Sequence, residues 1–420
     1  MTFISCPCRR RTDTRAVNNT PAPSAPLFAA PHRLLFFVGV CNLSLAMAWW
    51  GIWLLSLQGL LPAQPALTLP PAWLHGLWMQ YLVLPSFIFG FLLTVFPRWM
   101  GLPALPRWSY LCVGSGMFAS QLALLAYSAG WHLGLGLGLL LACTGWGAAL
   151  VVLGRLVLRE QGRTWHAWSC WSALLLGLIG LVAFIQAIVS GDARWHALSV
   201  SIGTFGLLLP IYASVAHRMF PFFAGNVVAG YVAWRPPSWL ALLWVLSLLH
   251  LVADQLQWPW PMLVADAGLL LLSLYTLGRW WPRGHAPALL RVLFLGLLWW
   301  PLAMLLYLLQ DIAALVGHVG WLERAPLHAL AIGLFGSLLV AMVTRVSQGH
   351  SGRALVMPAV AWMALLGLQL VALLRILAPL LQDPWRWHAI AALGWLLVLA
   401  PWLLRLAWIY LRPRADGAPG

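Results

Sequence analysis

Charge is scarce in this chain. Only 8% of its 420 residues are charged, none is lysine and nine are acidic, whereas soluble domains carry about 25% charged residues. With 62% of the residues hydrophobic, so much apolar surface cannot be hidden in a water-soluble core, and the bilayer must be the solvent. Cysteine is also sparse. Cys6, Cys8, Cys41, Cys112, Cys143 and Cys170 are scattered through the tail and the apolar runs, so no disulfide framework follows. Cys6 and Cys8 form one half of a zinc pattern without the other half. Long polar stretches are missing too, which confines any chemistry to the helix bundle or its rims. No carboxylate pair, nucleophile elbow, phosphate-binding loop, dinucleotide glycine pattern or CxxCH haem-attachment motif occurs. Hydrolytic and nucleotide-driven activities lose their basis.

What the chain has in abundance is apolar runs of the length that crosses a hydrocarbon core of about 30 Å. They start near Leu34, Ala72, Arg107, Trp131, Trp168, Trp195, Ser238, Trp260, Ala288, Ala325, Met357 and Trp387. The expected fold is all-α: a polytopic membrane protein of about 12 transmembrane helices. The run from Leu34 to Leu57 is too long for a signal peptide and lacks a small-residue cleavage site, so it reads as the first span. Residues 1–31, rich in Arg, Thr, Pro and Ala, read as a disordered cytoplasmic tail. Residues 32–412 read as one transmembrane domain and 413–420 as a short cytoplasmic tail.

The formal charge of +15 comes from 24 basic residues, all arginine. All but Arg194, Arg324, Arg375 and Arg386 fall on the side of the amino terminus. Asp192, Asp254, Asp266, Asp311, Glu323 and Asp383 fall on the other side. By the positive-inside rule both termini are cytoplasmic. The charge reports topology and gives no reason to invoke nucleic acid.

The even-numbered spans, which all run from outside to inside, begin alike. Span two opens Trp73-Leu74-His75, span four Trp131-His132, span six Trp195-His196-Ala197-Leu198, span ten Leu327-His328-Ala329-Leu330 and span twelve Trp387-His388-Ala389-Ile390. The closest likeness joins spans six and ten, four helices apart. A four-helix unit used three times, a pseudo-threefold arrangement, gives this pattern; a six-plus-six transporter does not.

Each histidine, taken alone, could anchor a helix end at the interface as aromatic belts do. Five at one height point instead to imidazole ligation of haem iron or copper. Small residues below them, such as Gly76, Gly90, Ser199, Gly203, Gly333 and Gly336, would clear room for a flat macrocycle and equally suit tight helix packing. At the cytoplasmic ends lie Arg98, His217, Arg218, Arg345, His350 and Arg353. Such groups bind propionates or other anions, or lipid phosphates; for His217 the lipid or helix-capping role is expected.

The segment Gly90-Phe91-Leu92-Leu93-Thr94-Val95-Phe96-Pro97-Arg98-Trp99-Met100-Gly101 resembles the GFLLTAVPNWTG segment of the NnrS family of membrane haem proteins. His217 to Phe223 is similar to that family's RxIPFFT segment, Met342 to Arg353 to its MxxRxxxGHTGR segment, and Arg412 to Gly420 to its PRxDGxPG ending. Span two, with His75-Gly76-Leu77-Trp78-Met79, also resembles the second helix of haem-copper oxidase subunit I, which has twelve spans in a three-by-four arrangement. These resemblances imply a b-type haem near the outer face with His75 and His328 as axial ligands. They leave His196 and His388 as candidates for copper or a second site, and Arg345, His350 and Arg353 as candidates for the haem's anionic edge. The chain departs from the HxHEM start of the NnrS pattern, with Leu77 and Trp78 where the second His and the Glu would stand. It also has only His250 in span seven, where the oxidases carry a neighbouring His pair.

The implied role is a bacterial inner-membrane protein acting in the response to nitric oxide and nitrosative stress, alongside denitrification, with nitric oxide or another diatomic as ligand. Redox or nitric-oxide chemistry at haem remains open on the residues alone, as does the electron donor. Two rival readings are a transporter or channel with His proton relays and a structural or assembly partner of a respiratory complex.

Overall fold

A computed structural model describes residues 26–160 and 163–417. Twelve helices in it are long and apolar enough to cross a membrane. In chain order they are α1 (Pro31–Leu57), α2 (Pro71–Trp99), α3 (Trp108–Ser128), α4 (Leu133–Arg159), α5 (Trp165–Ser190) and α6 (Ala193–Val227). They continue as α7 (Pro237–Leu256), α8 (Pro259–Trp280), α9 (Ala288–Leu315), α10 (Ala325–His350), α11 (Ala359–Leu380) and α12 (Pro384–Leu411). No start is displaced by as much as one helical turn from the expected position, and among the described residues there is no strand. The Cys6–Cys8 pair and most of the expected tail lie outside the described residues. Of that segment, Pro26–Phe28 forms a single tight turn whose Phe28 carbonyl accepts from the Tyr110 hydroxyl at 2.8 Å.

Helix starts follow local chemistry. Proline occupies the first turn of α1, α2, α7, α8 and α12, where its missing N–H would have no intrahelical partner. The carboxylates of Asp192 and Asp383 cap α6 and α12 by accepting from the backbone N–H of Arg194 and Arg386. Asp192 stands outside the spans. Its carboxyl is held below the usual carboxylate range, first by the side-chain hydrogen bond from Arg194.

Successive helices pack side by side, and α12 closes the ring against α1. Three helices lie inside it. The apolar windows of α2, α6 and α10 are 89%, 78% and 67% buried, against 33–56% for the other nine. These three are four helices apart, and each contains a π-helical segment: Trp78–Val83 in α2, Ile202–Leu208 in α6 and Ala329–Gly336 in α10. The repeat read from the first turns therefore recurs in the backbone itself.

A wide turn breaks the regular i to i−4 ladder and leaves carbonyls seeking donors, which a membrane interior cannot supply from water. Here neighbouring helices supply them. Trp146 of α4 donates its indole N–H to the Tyr81 carbonyl at 3.0 Å. Tyr81 in turn donates to the Ser199 carbonyl at 2.5 Å, and Gln80 reaches the Val200 carbonyl at 3.3 Å and Thr204 Oγ1 at 2.9 Å. Gly203 lies directly against Gln80, where a methyl would meet the amide at 2.8 Å. Lower in the bundle, towards the rim that carries both chain ends, α1, α2, α6 and α10 line a half-open apolar cavity of about 70 Å³. Phe36, Phe87, Phe91, Phe220 and Met342 line it, and Tyr212 brings its only side-chain oxygen.

Candidate functional site

The even-numbered helices begin at the rim opposite the chain ends, so their histidines start at one height. Side-chain direction then divides them. His75, in the first turn of α2, stacks flat on Trp50 of α1, with ring centres 4.5 Å apart and planes 12° apart. Trp50 stacks on Trp53 at 5.2 Å, Trp53 meets the edge of Trp385 of α12 at 6.4 Å, and Trp385 meets the edge of His388 at 5.5 Å. A run of three indoles therefore connects two imidazoles across α1, α2 and α12.

His328 enters from α10. Its Nδ1 is 2.8 Å from the Arg324 carbonyl, so that nitrogen carries the proton and donates it. The other ring nitrogen, Nε2, is then left as a lone-pair donor, the arrangement that orients metal-ligating histidines. His75 and His388 both lie within electrostatic reach of His328, and the Arg375 guanidinium of α11 lies within reach of all three. Nδ1 of His75, Nε2 of His388 and Nη1 of Arg375 are buried without a hydrogen-bond partner. Buried polar atoms almost always find partners. Three unpartnered nitrogens on side chains within electrostatic reach of His328 or of one another leave donor and acceptor capacity unused in this part of the bundle.

His196 is held elsewhere. It stacks on Trp73 at 4.1 Å with planes 4° apart, and Phe184 covers its side at 6.1 Å. Trp73 and His75, two residues apart on α2, thus serve two different neighbours. His132 is exposed ahead of α4. The row of five histidines resolves into three within electrostatic reach of one another, one set apart and one facing out.

Arg345, His350 and Arg353 are not brought to this cluster. His350 is 22 residues beyond His328 on the same helix, which at a rise of about 1.5 Å per residue separates them by about 33 Å. At their own rim, Arg345 lies over the Phe223 ring at 3.8 Å and Arg353 over Trp408 at 5.2 Å. His350 contacts Arg98 at 3.3 Å and the His32 ring at 4.4 Å. His217, expected to cap a helix or meet lipid, is instead buried. It pairs with His166 at 2.8 Å and stacks on Trp239 at 4.7 Å.

Sequence reasoning passed over Arg375, the indole run, His166 and the pairing of His250 with Asp266. The Trp50/Trp53 and Trp385/His388 pairs, each three residues apart on one helix face, were the available signal. Among the described residues no three His, Cys, Asp or Glu side chains are poised to hold a bare metal ion, and the four described cysteines are free. A porphyrin iron brings its own equatorial nitrogens and needs only one or two protein ligands. The donor set at His75, His328 and His388 suits that requirement.

Comparison with known proteins gives one family match. No curated protein matches the chain significantly. The model of the family described as NnrS protein matches residues 26–414, a span that holds all twelve helices and every residue of the convergent cluster. The chain belongs to the NnrS family.

Proposed function

We propose that this membrane protein binds a b-type haem at the far rim through His75 and His328 and acts in the response to nitric oxide. The nitric-oxide role follows from the family. The observation that supports the haem is that His75, His388 and Arg375, all within electrostatic reach of His328, each keep a buried nitrogen without a partner. His328, oriented by the Arg324 carbonyl, and His75, braced flat on Trp50, are pre-set as ligands. Arg375 fits the anionic edge of a macrocycle by charge-assisted hydrogen bonding. Haem bound there would supply redox and nitric-oxide-binding chemistry. His388 would supply a further imidazole beside His75 and His328 if a haem were held there. Arg345, His350 and Arg353 serve a separate anionic contact at the other rim.

The rim with both chain ends is read as cytoplasmic in a bacterial inner membrane, because all but four of the 24 arginines belong to that side.

The test is an absorption spectrum with haem, iron and copper analysis of the purified full chain. Wild type should show a b-type spectrum. His75→Ala and His328→Ala should each lose it, Arg375→Ala should weaken haem retention, and His132→Ala should leave it intact. A haem spectrum that persists in the His75→Ala/His328→Ala double variant, or a wild type free of haem after expression with ample haem supply, overturns the proposal.

A further inference from the structure

A second polar cluster lies between α7, α8 and α9, apart from the converging histidines. His250 of α7 is 4% exposed and Asp266 of α8 fully buried, and Nδ1 of the one lies 2.5 Å from Oδ1 of the other. Phe205, from the π-helical segment of α6, covers the imidazole face at 3.6 Å. Tyr307 of α9 approaches its edge at 5.5 Å with planes 83° apart. Asp311, one turn beyond Tyr307 on α9, is 7% exposed and lies within hydrogen-bonding reach of Asp266.

The unused oxygens decide what this cluster is. Oδ2 of Asp266 and Oδ2 of Asp311 are both buried and neither receives a hydrogen bond from any protein donor. An ionised carboxylate only accepts, so two ionised carboxylates cannot bond to each other. The neighbouring charges do not resolve the conflict. Asp254 of α7 adds a third carboxylate, His250 pairs with Asp266, and Arg324 at the head of α10 comes within reach of Tyr307. Arg324 is itself exposed, and its side chain makes no hydrogen bond to either carboxylate. One imidazole can balance one carboxylate. The second, in a lipid interior, is neutral or matched by a further cation.

We propose that Asp266 and Asp311 share one proton, and that with His250 they form a buried proton-holding site in the far-rim half of the bundle. His250 fixes the ionised oxygen of Asp266 through Oδ1, so the proton sits between the two Oδ2 atoms. Asp254, half-buried one turn nearer the rim on α7, links the pair to the aqueous face. A purely architectural cluster would tie three helices together without exchanging its proton. A proton-holding site exchanges it with solvent. The site stands whether or not haem binds elsewhere.

Infrared difference spectroscopy of the full chain in lipid nanodiscs distinguishes these, and nine acidic residues in the whole sequence make assignment tractable. Wild type at neutral pH should show a protonated-carboxyl C=O band that shifts on transfer to heavy water and is lost on raising the pH. Asp266→Asn and Asp311→Asn should each abolish the band, because the pair shares one proton, while Asp254→Asn should leave it. Asp311→Glu, which keeps the carboxyl, should move its frequency without removing it. Absence of a protonated-carboxyl band in wild type, a band that does not exchange with heavy water, or a band unchanged in both Asn variants overturns the proposal. The wild-type measurement alone suffices to do so, even if a variant fails to fold.

Discussion

Glycine 180 shows how little freedom the inner packing leaves to a single residue. A β-carbon there would collide with the Tyr81 hydroxyl, and that hydroxyl cannot swing aside cheaply because it donates to the Ser199 carbonyl at 2.5 Å. Gly180→Ala should therefore destabilise the protein by about 1–3 kcal/mol, the usual cost of overpacking. Thermal unfolding in detergent should show a lower midpoint, and an unchanged midpoint would mean that α5 shifts freely. The same scale explains what was readable in advance. The outer histidines His75, His328 and His388 were visible as candidates because each lies near the start of a helix built like the others. Arg375 did not, since its importance comes from three partners that the chain supplies 300, 47 and 13 residues away in number. His217 was misjudged for a related reason: the imidazole that buries it, His166, belongs to another helix.

At the scale of the element, the π-helical segments set the direction of the side chains that precede them. Each residue adds about 100° of rotation to a helix, so the extra residue in Trp78–Val83 decides which way His75 points relative to the body of α2. Deleting Met79 should turn His75 away from α10 and abolish haem binding, whereas Met79→Ala, which keeps the count, should retain it. Absorption spectra of the two purified variants check this, and a normal spectrum in the deletion variant would detach the segment from the site. Nothing in composition or hydropathy distinguishes a π turn from an α turn. The apolar run is continuous through all three segments, which is why helix ends were legible to within a turn and the internal geometry was not. Three such segments on α2, α6 and α10 fit a unit used three times, and not the paired breaks of a two-halved transporter.

For the whole molecule, the arrangement of charge was the most legible property. Arginine-rich loops at one rim and acidic ones at the other underlie the proposal that the chain ends are cytoplasmic. A reporter that is active only in the cytoplasm, fused after residue 417, should give signal, and one active only outside should give none. The opposite result would invert the proposed topology and place His75, His328 and His388 at the inner face.

The apolar cavity among α1, α2, α6 and α10 carries a mechanical consequence. A half-open apolar seam of about 70 Å³, where no lipid chain fills it, amounts to about 40 mL per mole, within the range of volume that hydrostatic pressure recovers when a protein unfolds. Its walls offer water almost nothing to bond to, so compression is relieved by collapse of that seam and not by flooding. Under deep-sea loads the three central rods would close on one another there first, while the crowded indole rim at the opposite end kept its shape.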